Sequence, residues 1–199
     1  MRLGGLLKKH LPGPIKKFIA RCLGLKPLPS AASRARKESN VWLRYHCLDI
    51  KGSVLSIGSG HDDDHEGGRY RDYFKNSTSY TTSEVSAEFK CDLVLDIKSM
   101  PEIANATYDC IFCSGVLEHV DDYVKGLDEI TRILKRGGVL LLGLPFRQSI
   151  HMGKCDYWRF TEHGVRHLLR TDYEIIELVS MDNSVPDFPS AYWIKARKL

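Results

Sequence analysis

The chain has 199 residues, a length that predicts one domain with a short appendage. Hydrophobic residues make up 43%, enough for one good core, yet no apolar run is long enough to span a bilayer. The net charge of +4 is uneven: residues 1–39 carry ten Lys or Arg against one acid, Glu38, and that +9 leaves −5 for the rest.

Residues 1–35 therefore read as a basic arm, and residues 36–199 as an acidic folded domain. Such an arm can meet an anionic membrane surface, or it can drape over its own acidic body. Nucleic acid is not the expected partner. Leu3 to Leu7 is too short for the apolar part of a secretory signal, and Lys8 and Lys9 interrupt it. The expected location is the cytoplasm, with peripheral membrane contact through the arm. Cys22, Cys47, Cys91, Cys110, Cys113 and Cys155 read as free thiols, several inside strands, where cysteine behaves as a small hydrophobe.

Ile15, Phe18, Ile19, Cys22 and Leu23 recur at helical spacing opposite Lys16, Lys17 and Arg21, predicting an amphipathic helix over 14–23. Pro14 suits its first turn and Gly24 its end. Lys26 to Ser33 reads as a linker, and a second helix is predicted over about 36–48. Strands are then predicted at Val54–Ile57, Ser79–Thr82, Leu93–Leu95 and Tyr108–Cys113. A helix follows at Asp121–Arg136, with Val124, Leu127, Ile130 and Leu134 on one face, Asp121 or Asp122 as its cap and Gly137 at its end. Val139–Leu144 is fully apolar, as a strand covered on both faces requires. Thr161 can cap a helix through Arg170 that turns Val165, Leu168 and Leu169 inward. Strands at Tyr173–Ser180 and Ala191–Ala196 are joined by a Pro-containing connection without a helix, so this pair is predicted antiparallel.

Alternating strands and helices predict an α/β fold with a doubly wound, mostly parallel sheet. Ligands bind such sheets beyond the carboxyl ends of the strands, where the winding reverses. The loops after Ile57, Thr82, Leu95 and Cys113 should therefore ring one crevice. Gly58-Ser59-Gly60 allows a tight turn and close backbone approach, and a helix N-terminus after it would offer N–H groups to an anion. Glu84 can accept from both hydroxyls of a ribose. Asp96 can accept from an adenine amino group, and Ile97 can pack on the ring. Ser114 and Gly115 are small enough for backbone contact with a ligand.

The series Val54-Leu-Ser-Ile-Gly-Ser-Gly60, Glu84, Asp96-Ile97, Tyr108-Asp-Cys-Ile-Phe-Cys113, Val116-Leu-Glu-His-Val120 and Ile133-Leu-Lys-Arg-Gly-Gly138 resembles the class I S-adenosylmethionine-dependent methyltransferases, close to the type 11 group. The resemblance covers about Ser53 to Leu169. It implies a Rossmann-like seven-stranded sheet with an antiparallel last strand, S-adenosylmethionine as cofactor and methyl transfer as the activity. Two positions depart from the pattern: Ser56 stands where the family usually has an acid, and Asp62 where it often has a small residue.

A hydroxyl acceptor calls for a base, and His119, His151 and Asp156 are the candidates. His151-Met-Gly-Lys-Cys-Asp-Tyr-Trp-Arg-Phe-Thr161 resembles a stretch recurrent in methyltransferases encoded among sugar and polysaccharide genes. Trp158 can stack on a sugar or ring and Arg159 can clamp an acidic group, which makes a small-molecule or glycan hydroxyl the expected acceptor. The plainer reading is that Tyr157, Trp158 and Phe160 close the core. No metal site is expected: His61-Asp-Asp-Asp-His65 reads as a solvated loop, and Cys110-x-x-Cys113 lies inside a strand. Two rival functions share these features. A nicotinamide oxidoreductase would need a small residue where Asp63 ends the glycine motif. A non-catalytic S-adenosylmethionine-binding or scaffold protein would keep the fold and lose the chemistry.

Overall fold

A computed structural model describes residues 33–151 and 155–199. The basic arm, the predicted helix over 14–23 and most of the linker lie outside the described residues. The described elements run in the order α1 (Arg34–Cys47), β1 (Gly52–Ile57), β2 (Ser77–Glu84), β3 (Leu93–Val94), β4 (Tyr108–Ser114), α2 (Tyr123–Ile133), β5 (Leu134–Pro145), α3 (Glu162–Leu169), β6 (Tyr173–Met181) and β7 (Ala191–Lys198). Each α-helix begins at a side-chain cap that satisfies an otherwise unpaired amide: Ser33 accepts from Arg36 N–H, Asp122 from Lys125 N–H and Thr161 from Gly164 N–H.

The sheet order is β3-β2-β1-β4-β5-β7-β6. β1 pairs in parallel with β2 and β4, β2 with β3, and β4 with β5. β7 runs antiparallel between β5 and β6. The winding reverses between β1 and β4, so the tips of β1, β2, β3 and β4 converge there.

Strand alternation sorts side chains onto two faces. Leu55, Ile57, Ile111, Cys113, Leu140 and Leu142 pack under α2 and α3. Val54, Cys110, Phe112, Leu141 and Trp193 pack under α1 and the turn at Tyr70–Tyr73. Cys110 and Cys113 thus point to opposite faces and lie in different clusters.

Three expectations change. The segment after Gly58-Ser59-Gly60 is a loop closing with a short 3-10 turn at Tyr70–Tyr73, so no α-helix N-terminus follows the glycine turn. Asp62 and His65 both take the left-handed backbone conformation, which breaks any helical path. α2 ends at Ile133 rather than at Gly137, because Leu134 is already extended and pairs with Tyr108. Gly138 lies where a Cβ would sit 2.8 Å from Lys135 O and 3.0 Å from Asp109 O, so the glycine pair makes a bend within β5 rather than a helix cap. On α2, Val124 is exposed, and the buried stripe is Gly126, Leu127, Ile130 and Ile133.

The acidic run is the third correction. Asp62 and Asp64 are buried, not solvated. Asp62 accepts from the Tyr80 hydroxyl at 2.9 Å and from Arg71 Nε at 3.1 Å. Asp64 accepts from the Tyr73 hydroxyl at 2.6 Å, from Glu66 N–H at 2.8 Å and from Gly68 N–H at 2.9 Å. Burial by itself raises the Asp64 carboxyl, but these donors outweigh it and hold it at about 2. The depressed value stabilises the fold above the unfolded value near 4, and that contribution is lost as pH falls toward about 2. Asp64→Asn is expected to cost roughly 2 kcal/mol at pH 7 in urea unfolding. The gap from the parent chain should narrow on acidification from pH 4, and an unchanged gap at pH 3 contradicts the assignment.

Candidate active site

The convergent strand tips enclose a crevice of about 300 Å³, within the range of small-ligand sites. Gly58, Glu84, Asp96, Ile97, Gly115 and His119 lie on its wall, together with the apolar side chains of Leu95, Val116 and Val120. Ser59, Gly60 and Ser114 are beside it rather than on the wall. The Ser59 amide and hydroxyl both donate to Ser83 O at 3.1 Å, which fastens the turn to β2. Ser114 sits on β4, where its Oγ lies against Gly143.

Glu84 ends β2 with both oxygens oriented by amides. Gly60 N–H donates to Oε1 at 2.9 Å, and Val85 N–H donates to Oε2 at 3.1 Å. Asp96 is fixed by a local turn in which Lys98 N–H donates to its Oδ1 at 2.9 Å. Ile97 is buried and packs against α2, where Gly126 leaves room for it.

His119, His151 and Asp156 come together on the far side of the crevice, in different states. The His119 and His151 rings meet edge to face with centroids 4.8 Å apart. His119 Nδ1 lies 2.7 Å from Cys155 O, and His151 Nδ1 lies 3.1 Å from Ser149 O and 3.3 Å from Asp156 Oδ2. The Asp156 side chain is buried and grips Arg159 through two contacts of 2.6 and 2.8 Å, while His151 N–H donates to it at 2.7 Å. The Arg159 guanidinium holds the Asp156 carboxyl far below the usual range, so it is a poor base. This corrects the reading of Asp156 as a catalytic base.

Arg159 is corrected as well. Its remaining N–H groups donate to Gln148 O, Trp158 O and Ser149 O, so the full fork is spent within the protein. It ties Gln148 and Ser149 to Asp156 and Trp158 rather than clamping an acidic substrate. Arg159→Ala is expected to speed amide exchange over residues 147–151 and 155–158 at least tenfold and to leave β4 and β5 unchanged, as hydrogen exchange would read.

Trp158 is 39% exposed, and its indole N–H donates to Val120 O at 2.9 Å while its ring meets Tyr123 edge to face. Phe160 closes the core, as the plainer reading expected. Trp158 is shared between the two readings: one edge is anchored, and part of the ring meets solvent.

Glu118 is a site residue to which the sequence pattern assigns no role. It is 2% exposed, its Oε2 has no hydrogen-bond partner among the described residues, and Oε1 lies 3.9 Å from His119 Nε2. Burial pushes its carboxyl up to about 7. The loop covers it: Tyr157 N–H and Trp158 N–H both donate to Glu118 O, at 2.8 and 3.2 Å. The signal was a carboxylate inside Val116-Leu-Glu-His-Val120, but its burial depends on a loop some 40 residues later.

Residues 68–142 match the family model described as "Methyltransferase domain". Over those residues the chain is similar to a methyltransferase domain. The matched segment contains Glu84, Asp96, Ile97, Ser114, Gly115 and His119, and it leaves out the Gly58–Gly60 turn. No curated protein matches the chain. Among solved structures, the domain is similar to the N-methyltransferase NodS from Bradyrhizobium japonicum, a complex with S-adenosyl-L-homocysteine, at TM-score 0.64 and 16% identity over 82% of this chain and 87% of that one. It is similar to the 1,6-didemethyltoxoflavin-N1-methyltransferase of Burkholderia thailandensis at TM-score 0.62 and 19% identity over 96% and 92%. Against the CurJ carbon methyltransferase the TM-score is 0.56 at 16% identity; the match covers 73% of this chain and about half, 48%, of that one. At these identities the likeness establishes the methyltransferase fold. Among the described residues no helix is long and apolar enough to cross a membrane.

Proposed function

We propose that this methyltransferase domain moves a methyl group from S-adenosylmethionine to a hydroxyl of a small molecule or glycan, with the cofactor held by the β1–β4 crevice. Glu84 carries the reading. A carboxylate has about four lone-pair sites, and two amides occupy only part of them, leaving acceptors for paired ribose hydroxyls. Asp96 Oδ2 serves the adenine amino group, and Ile97, Val116 and Val120 serve the ring faces. Gly58 and Gly115 bring bare backbone to the methionine part.

The bound cofactor supplies an electrophilic methyl on a sulfonium. The residues' task is orientation, which can contribute several kcal/mol by aligning the reacting atoms. His119 and His151 stand on the acceptor side with Nε2 making no hydrogen bond among the described residues, and an entering hydroxyl meets those nitrogens. The exposed part of Trp158 offers a stacking surface for a sugar or ring acceptor.

Calorimetry on the full chain tests the cofactor half. We expect one-to-one binding of S-adenosylmethionine and S-adenosylhomocysteine. Preference for NAD overturns the reading, and binding without labelled-methyl transfer to any acceptor in cell extract supports the scaffold alternative. Residues 1–35, as a basic arm, are proposed to bring the domain to an anionic membrane; flotation with phosphatidylserine vesicles should be lost when residues 1–30 are removed.

A further inference from the structure

Three side chains at the acceptor end of the crevice place their ligand atoms within 4.8 Å of one another: Glu118, His119 and His151. Both imidazoles are oriented for coordination. Each places Nδ1 against a backbone oxygen, Cys155 O for His119 and Ser149 O for His151, so Nδ1 carries the proton and Nε2 keeps its lone pair. Asp156 Oδ2 adds a carboxylate behind His151, the outer-shell arrangement that fixes metal-binding histidines. The Glu118 side chain is buried with Oε2 unpartnered, and the nearest cationic side chain, Arg159, is already spent on Asp156. Among the described residues Glu118 Oε2 is a buried oxygen with no partner, close to two imidazole nitrogens, an arrangement that a bound cation would satisfy.

We propose that Glu118, His119 and His151 form a binding site for a divalent first-row transition-metal cation. Two imidazoles and one carboxylate suit zinc, iron(II), cobalt(II) or manganese(II) better than magnesium or calcium, which favour all-oxygen shells. Metal–nitrogen bonds near 2.1 Å place neighbouring ligand atoms roughly 3.4 Å apart, closer than the present spread. A bound cation would draw the three atoms inward, and His151 is the most exposed of them. Three protein ligands leave coordination positions for an oxygen of the acceptor, and His119 puts them on the crevice wall. This role rests on the methyl-transfer reading, whereas cation binding itself does not. It identifies the acceptor as an oxygen ligand, such as a hydroxyl flanked by a second oxygen that can chelate.

The full chain is stripped with EDTA, dialysed and titrated with Co²⁺, with visible d–d absorption as the readout. One equivalent is expected to bind and to be displaced by Zn²⁺. His151→Ala and Glu118→Gln should each weaken Co²⁺ binding at least tenfold with unchanged circular dichroism, and His163→Ala on the exposed face of α3 should not. No saturable absorption overturns the proposal, and so does equal Co²⁺ affinity in His151→Ala and the parent. S-adenosylhomocysteine calorimetry on the same stripped protein separates the two claims. Cofactor binding without cobalt binding removes the metal site alone; cobalt binding without cofactor binding removes the methyl-transfer reading and leaves the site standing.

Discussion

Gly58→Ala is expected to lower S-adenosylhomocysteine affinity more than 100-fold, read by calorimetry. Gly58 has φ +64°, a conformation in which a Cβ costs roughly 1–2 kcal/mol. That Cβ would also fall 2.3 Å from Val116 Cγ2, far inside contact distance. Val116 lies on the crevice wall and is β-branched, so it yields only by turning into the space assigned to the cofactor or by pushing β1 and β4 apart. The two costs can be separated. Gly58→Ala with Val116→Ala removes the clash and keeps the backbone strain, so the double variant should recover about tenfold and stay weaker than the parent. Full affinity in the single variant would show that the turn does not approach the ligand.

Glu84→Ala is expected to weaken S-adenosylhomocysteine binding by at least about 100-fold. Hydrogen bonds to a charged group contribute about 1.5–3 kcal/mol each, and the proposed ribose contacts number two. The same change frees the Gly60 amide, which now donates to Glu84 Oε1 at 2.9 Å and holds the glycine turn against β2. Glu84→Gln should fall between alanine and the parent, because one amide oxygen remains to accept. Its NH₂ group, though, would face either the Gly60 or the Val85 N–H. Thermal unfolding of the ligand-free protein should change little, since Glu84 is only partly buried. Equal affinity of Glu84→Ala and the parent would place the ribose elsewhere.

Much of the crevice was legible before any coordinate. Gly58, Glu84, Asp96, Ile97, Gly115 and His119 all lie at or just past the ends of strands, and a doubly wound sheet gathers the carboxyl ends of its strands at one edge. Ser59 and Gly60 belong to the same loop as Gly58, and Ser114 ends β4, but all three turn to neighbouring strands. Successive residues leave a strand in opposite directions, and the loop's own hydrogen bonds choose between them.

Asp156 and Arg159 illustrate a different limit. An acid and a base three residues apart can pair or can both face a ligand; the spacing is the same. Only the packing of the 148–159 loop shows that all the Arg159 donors are used at home. The acidic run behaves alike, since Asp62-Asp63-Asp64 reads as solvated until Tyr73 and Tyr80 arrive as donors from later in the chain.

Local chemistry settled where the strands fall along the chain, the helix cap at Thr161 and the residues available at each strand tip, and it narrowed the other cap to Asp121 or Asp122, because periodicity and capping act within a few residues. Tertiary structure decided which charges lost their water. Tyr157 and Trp158 bring their amides onto the Glu118 carbonyl from some 40 residues later, and its two histidine neighbours meet only because residues far apart in the chain come together at the tip of β4. Desolvation is a property of everything that surrounds a group, and no spacing along the chain encodes it.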